Sequence, residues 1–166
     1  MEMDYDNIRH AQLVQHYKAG ANWFYWIAGL SIITSLIAFF GGGIQFIFSL
    51  GITQIIDGVA AYFSAQAGGA AGAKVVGLLL DLIITGIFVL FGWLANQKQI
   101  WAYLIGAIVF LMDGLLSLLS GEIISVLAHA FVLFFLIRGF MAGRELLALE
   151  KVMAQQAAAP QTEPAL

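Results

Sequence analysis

Five apolar stretches, each about long enough to cross a bilayer as a helix, dominate this chain of 166 residues. A hydrocarbon core of about 30 Å takes about 20 apolar residues at helical rise. The stretches run over 21–40, 44–63, 75–95, 101–119 and 123–141. Hydrophobic residues make up 61% of the chain and charged ones 10%, where a soluble domain carries roughly half and a quarter. A ball of this size has too much exterior to hide that apolar surface from water. The predicted fold is therefore all-α, an integral membrane five-helix bundle with lipid as its solvent.

Polar breaks separate the spans. Gly41, Gly42 and Gly43 follow the first, Asn96-Gln97-Lys98-Gln99 the third, and Ser120-Gly121-Glu122 the fourth. Such residues punctuate helices, and links this short make neighbouring spans antiparallel. Residues 64–74 read as a flexible Gly/Ala-rich loop. A polar segment over 1–20 is expected at the membrane surface. Beyond the last span, 142–156 reads as a helix on propensity and 157–166 as a disordered tail. Aromatic residues (Trp23, Trp26, Tyr62, Trp93, Trp101, Tyr103) gather near the span ends, as in the interfacial belts of bilayer helices.

Four ionisable residues interrupt the apolar runs: Asp57, Asp81, Asp113 and His129. Each would cost roughly 2.5–3.5 kcal/mol on insertion scales, which makes it a functional-site candidate by default. Each lies six residues from the span end it shares with its neighbour. That spacing places all four at one depth, about 9 Å from one face at helical rise. Asp57 with Asp81, and Asp113 with His129, are expected to pair across the two hairpins. Supporting polar groups follow at helical spacing: Gln54 beside Asp57, Thr85 beside Asp81, Ser117 beside Asp113 and Ser125 beside His129. Tyr103, Gly106, Phe110, Asp113 and Ser117 form one stripe of the fourth span, suited to face the bundle.

The segments IQFIFSLGITQIIDGVA and IWAYLIGAIVFLMDGLL align at an offset of 56, each an apolar run closed by Asp-Gly. One span followed by two similar hairpins is the architecture this repeat suggests. Five spans would leave the termini on opposite faces. Basic residues then divide as Arg9, Lys18 and Lys74 against Lys98, Arg138, Arg144 and Lys151, a near tie leaning to a cytoplasmic C-terminus.

The chain has no cysteine, which excludes disulfides and thiolate sites. Its net charge of −3 offers no basic patch for nucleic acid. No cleaved leader is expected from the acidic opening residues. Ser31 in Ala28-Gly29-Leu30-Ser31-Ile32, with His129 elsewhere, departs from the rhomboid serine-protease motif, because Ile32 stands where that motif has glycine. No Gly-x-Gly-Asp, HExxH, P-loop or dinucleotide motif is present.

The stretches GANWFYWIAGLSIITSLI, SLGITQIIDG, WAYLIGAIVFLMDGLLSLL and HAFVLFFLIRG resemble a group of small bacterial multi-span membrane proteins, over Gly20 to Gly139. The resemblance implies a bacterial cytoplasmic membrane and supplies no activity. Three functional classes stay open. The first is a structural or accessory membrane protein, with the bilayer, a membrane-protein partner or another copy as its contacts. The second is a proton- or cation-linked transporter or channel subunit using the Asp/His layer. The third is a metal-dependent membrane enzyme, with three Asp and one His as O/N ligands for Mn, Fe or Zn. No cofactor is predicted.

Overall fold

The computed structural model describes residues 2–40, 50–66, 71–119 and 121–158. Among them are five helices and no strand: α1 (Glu2–Phe39), α2 (Gly51–Gln66), α3 (Ala71–Asn96), α4 (Ile100–Leu119) and α5 (Ile123–Ala158). Helices α1, α3, α4 and α5 are long and apolar enough to cross a membrane. The described part of α2 has 16 residues, about 24 Å at helical rise, short of the hydrocarbon thickness. Residues 44–49 of the expected second span lie outside the described residues.

Of the predicted polar links, 96–99 falls at the junction of α3 and α4 and Gly121-Glu122 between α4 and α5, as expected, while Gly41, Gly42, Gly43 and Ser120 lie outside the described residues. Lys98 (φ 62°) turns the chain between α3 and α4, and Gly121 (φ 77°) between α4 and α5. Both are left-handed positions, which glycine adopts without steric cost.

The two ends of the chain differ from expectation. The segment 1–20 is no separate surface element but the first half of α1, and 142–156 continues the fifth span without a break. Helices α1 and α5 pack against each other. Their ends project together past the α3–α4 turn, with Leu13, Tyr17 and Leu146 buried between them. Arg9 pairs with Glu145, and Glu150 accepts from His10 Nε2 at 3.0 Å and from Lys98 Nζ at 2.6 Å. An isolated polar helix in water is marginal; here each extension supplies the other's buried seam. The N-terminal part of α1 and the C-terminal part of α5 therefore lie at the same end of the bundle, not at opposite faces.

A close crossing fixes this pair. A Cβ on Gly20 would meet the Gly139 Cα at 2.9 Å, and one on Gly139 would meet the Gly20 Cα at 3.0 Å. Ordinary side chains hold helix axes roughly 8–10 Å apart. Gly143 similarly receives the Tyr17 ring. The Gly139–Gly143 motif thus serves packing within the chain.

Inside the bundle, α1 packs on α3 as well as α5, α4 lies on α5, and α2 runs antiparallel along α3. The centre is aromatic: Phe24, Phe88, Tyr103 and Phe110 are all buried, with Phe24 and Tyr103 edge to face at 5.5 Å. Gly106 leaves the space that the Phe24 ring occupies. The α4 stripe of Tyr103, Gly106, Phe110, Asp113 and Ser117 is its buried face, while Ile105, Leu111 and Met112 point outward. On α4, aromatic, small and polar residues face inward and large aliphatic ones outward, the arrangement lipid favours.

Candidate functional site

The four ionisable residues form two pairs at two levels. Phe88 of α3 meets Phe110 of α4. Asp113 lies three residues past that contact, about 4.5 Å, and Asp81 lies seven residues past it, about 10 Å at helical rise. The single depth expected from equal spacing to the span ends is thus replaced by two levels roughly 6 Å apart. The reason is that α3 starts well before α4 ends, so the two spans do not share one boundary. Among the described residues, no three acidic or imidazole side chains gather as metal ligands. Three Asp and one His as a single metal centre is not the arrangement found.

The first pair holds the start of α2. Gly51 N–H donates to Asp113 Oδ2 at 2.8 Å and Ile52 N–H to Asp113 Oδ1 at 2.9 Å. The first amides of a helix lack internal acceptors and carry positive partial charge, so a carboxylate there is favoured. Here the capping group comes from another helix. Leu50 N–H is taken by Ser31 Oγ at 2.9 Å, and Thr53 Oγ1 returns to Leu50 C=O at 2.8 Å. Gly51 permits the approach: a Cβ there would meet Ser117 Oγ at 2.9 Å.

His129 completes this network. Its Nε2 lies 2.9 Å from Asp113 Oδ2, and its Nδ1 lies 2.7 Å from Ser125 C=O. A carbonyl only accepts, so Nδ1 bears a proton. The Nε2–Oδ2 contact then needs a second proton, on one atom or the other. The ring stacks on Phe110 at 4.7 Å. Ser125 Oγ bonds Ser117 Oγ at 3.2 Å, and Ser117 Oγ reaches Asp113 C=O at 3.5 Å. Asp113, Ser117, Ser125 and His129 are therefore brought together, and the supporting roles of both serines fall on this pair. His129 is committed to Asp113 and Ser125, and Ser31 to Leu50, so the two form no nucleophile–base dyad.

The second pair is different. Asp57 of α2 and Asp81 of α3 are neighbours with Ser35 of α1 beside both, but these contacts do not reach hydrogen-bond geometry at Asp81 or Ser35. Asp81 and Ser35 are each 1% exposed. Neither Asp81 oxygen, nor Ser35 Oγ, nor Thr85 Oγ1 has a hydrogen-bond partner. Thr85 is one turn along α3 from Asp81. The Gln54 side chain lies outside the described residues. Ser35 was not singled out in the sequence, although Ser31, Thr34 and Ser35 recur at helical spacing and are all buried. That polar stripe in α1 was the available signal.

An apolar cavity of about 540 Å³ opens beside Asp113, between the start of α2, α3 and α4, with Ile52, Ile84, Phe88 and Met112 in its wall. The Asp113 carboxyl at its edge already accepts from two backbone amides and shares a hydrogen bond with His129, leaving the described wall without an uncommitted acid or nucleophile.

The chain matches no family model, no curated protein and no solved structure.

Proposed function

We propose that this is a structural or accessory multi-pass membrane protein, without catalytic chemistry of its own. The observation that carries the reading is the use made of Asp113 and His129. The most elaborate polar network inside the bundle holds one helix start in place, and its donors and acceptors are already engaged. A buried polar network with every member satisfied rigidifies a core.

Four long apolar helices support a multi-pass arrangement. We place the chain in a cell membrane and, on the resemblance read from the sequence, in the bacterial cytoplasmic membrane. Orientation follows from the basic residues. Arg9, Lys18, Lys98, Arg138, Arg144 and Lys151 cluster at the end where α1 begins and α5 finishes, and Lys74 stands alone at the other. Six against one is a clear positive-inside bias. The paired extensions of α1 and α5 then lie in the cytoplasm, where they offer a partner a helical surface carrying exposed Tyr5, Ile8 and Val152.

Purification from the native membrane in a mild detergent tests the reading. The expected result is one protein partner, or a second copy, retained at fixed stoichiometry through extended washing. Recovery as a lone monomer, or measurable turnover or ion flux by the isolated protein in liposomes, overturns it.

A further inference from the structure

Buried polar oxygens are normally bonded, and an unpartnered carboxylate in an apolar interior is costly. The junction of α1, α2 and α3 holds three such atoms, both oxygens of Asp81 and Ser35 Oγ, and Thr85 Oγ1 is a fourth, one turn along α3 from Asp81. Asp57, half-buried, adds a second carboxyl beside them and gives the cluster its contact with the exterior. No ion pair among the described residues involves either acid. Two carboxyl groups this close cannot both stay ionised without a positive charge between them.

The ligand set limits what that charge can be. Every donor is an oxygen, the chemistry of hard cations, and there is no imidazole or sulfur for a transition metal. Mg²⁺ dehydrates reluctantly and keeps several waters, and Ca²⁺, which takes six to eight oxygens, would need every oxygen of both carboxyls and both hydroxyls at once. A monovalent ion balances the charge of the two acids with one of them still protonated, so it does not require both to ionise. We propose that Ser35, Asp57, Asp81 and Thr85 form a binding site for one dehydrated alkali cation, sodium in the first instance, which ties α1, α2 and α3 together. This goes beyond the accessory reading and does not depend on it: a structural ion would serve an accessory protein and a transporter alike.

The full chain in lipid nanodiscs, prepared in choline chloride, is the material for the test. Thermal unfolding is followed by tryptophan fluorescence while NaCl replaces choline chloride at constant ionic strength. Sodium is expected to raise the midpoint saturably, as any ligand specific for the folded state does. In D81N and D57N the sodium concentration giving half the effect should rise at least about tenfold, equivalent to about 1.4 kcal/mol of binding. S35A and T85A, which remove one hydroxyl each and no charge, should weaken it less, and they decide the matter if the aspartate variants fail to fold. Retention of radioactive sodium by wild type, reduced in T85A and lost in D81N, is the parallel direct measurement. Identical midpoints in choline and sodium overturn the proposal, as does a sodium effect that survives unchanged in these variants. A stabilisation given by Ca²⁺ or Mg²⁺ and not by sodium overturns the assignment to an alkali ion.

Discussion

Replacing Asp113 by asparagine removes one oxygen from a group engaged in three hydrogen bonds, two accepted from Gly51 N–H and Ile52 N–H and one shared with His129 Nε2. Asparagine keeps one acceptor and turns an NH2 group toward remaining donors. At least one backbone amide, or the imidazole, then faces another donor in a buried setting. Hydrogen bonds to an ionised group contribute about 1.5–3 kcal/mol each, and breaking a buried pair by removing one partner costs about 3–5 kcal/mol. The expected loss for D113N is about 3–5 kcal/mol, with Asp113→Ala at or above that range because all three contacts go. For a chain of this length that is a fall of about 6–20 °C in the unfolding midpoint. Tryptophan fluorescence in detergent micelles, read against temperature and against SDS, measures it. A double-mutant cycle with His129→Leu isolates the side-chain pair, whose coupling should lie at about 1–3 kcal/mol. If D113N loses less than about 1 kcal/mol, the carboxylate does not hold the start of α2, and the reasoning behind the proposed function fails with it.

Further outcomes follow from the fold. Since the chain has no cysteine, single cysteines can report sidedness: Glu122→Cys should react with an impermeant maleimide added to intact cells, and Lys151→Cys only after the membrane is opened; the reverse pattern refutes the orientation. Gly139→Ala drives a Cβ into the Gly20 backbone and the Tyr103 ring, and overpacking of this kind costs about 1–3 kcal/mol, readable as a lowered midpoint; a neutral result means that α1 and α5 cross elsewhere. At the exposed end, Lys98 and then His10 hold the Glu150 carboxyl below its ordinary value of 4.5. The small stabilisation from that cluster should be present above the ordinary value and disappear as pH falls through the lowered one. Glu150→Gln should cost under about 1 kcal/mol, less at high salt, in the same unfolding assay.

Much of the bundle is legible in the chain itself. The apolar run 101–119 and its stripe of Tyr103, Gly106, Phe110, Asp113 and Ser117 specify α4 and the face it buries, because burial in lipid selects small and polar residues inward. The short turn at Gly121 brings Asp113 opposite His129. Other features depend on partners distant in sequence. Hydropathy runs smoothly through 44–63, so nothing local marks Gly51 as a helix start; the carboxylate that caps it is 62 residues away. Likewise Leu13 and Tyr17 make no clean amphipathic stripe within α1 alone. Their burial depends on Leu146 and Gly143 of α5, at the other end of the sequence. The equal spacing of the four ionisable residues suggested one layer, and it failed because α3 extends past the end of α4.

The dependence of α2 on α4 has a consequence for biogenesis. Helix α2 leaves the ribosome well before the carboxylate and imidazole that secure its leading amides. Until α4 and α5 arrive, those amides have no permanent acceptor from that pair. The start of α2 can thus reach its full set of hydrogen bonds only once the last hairpin is in place.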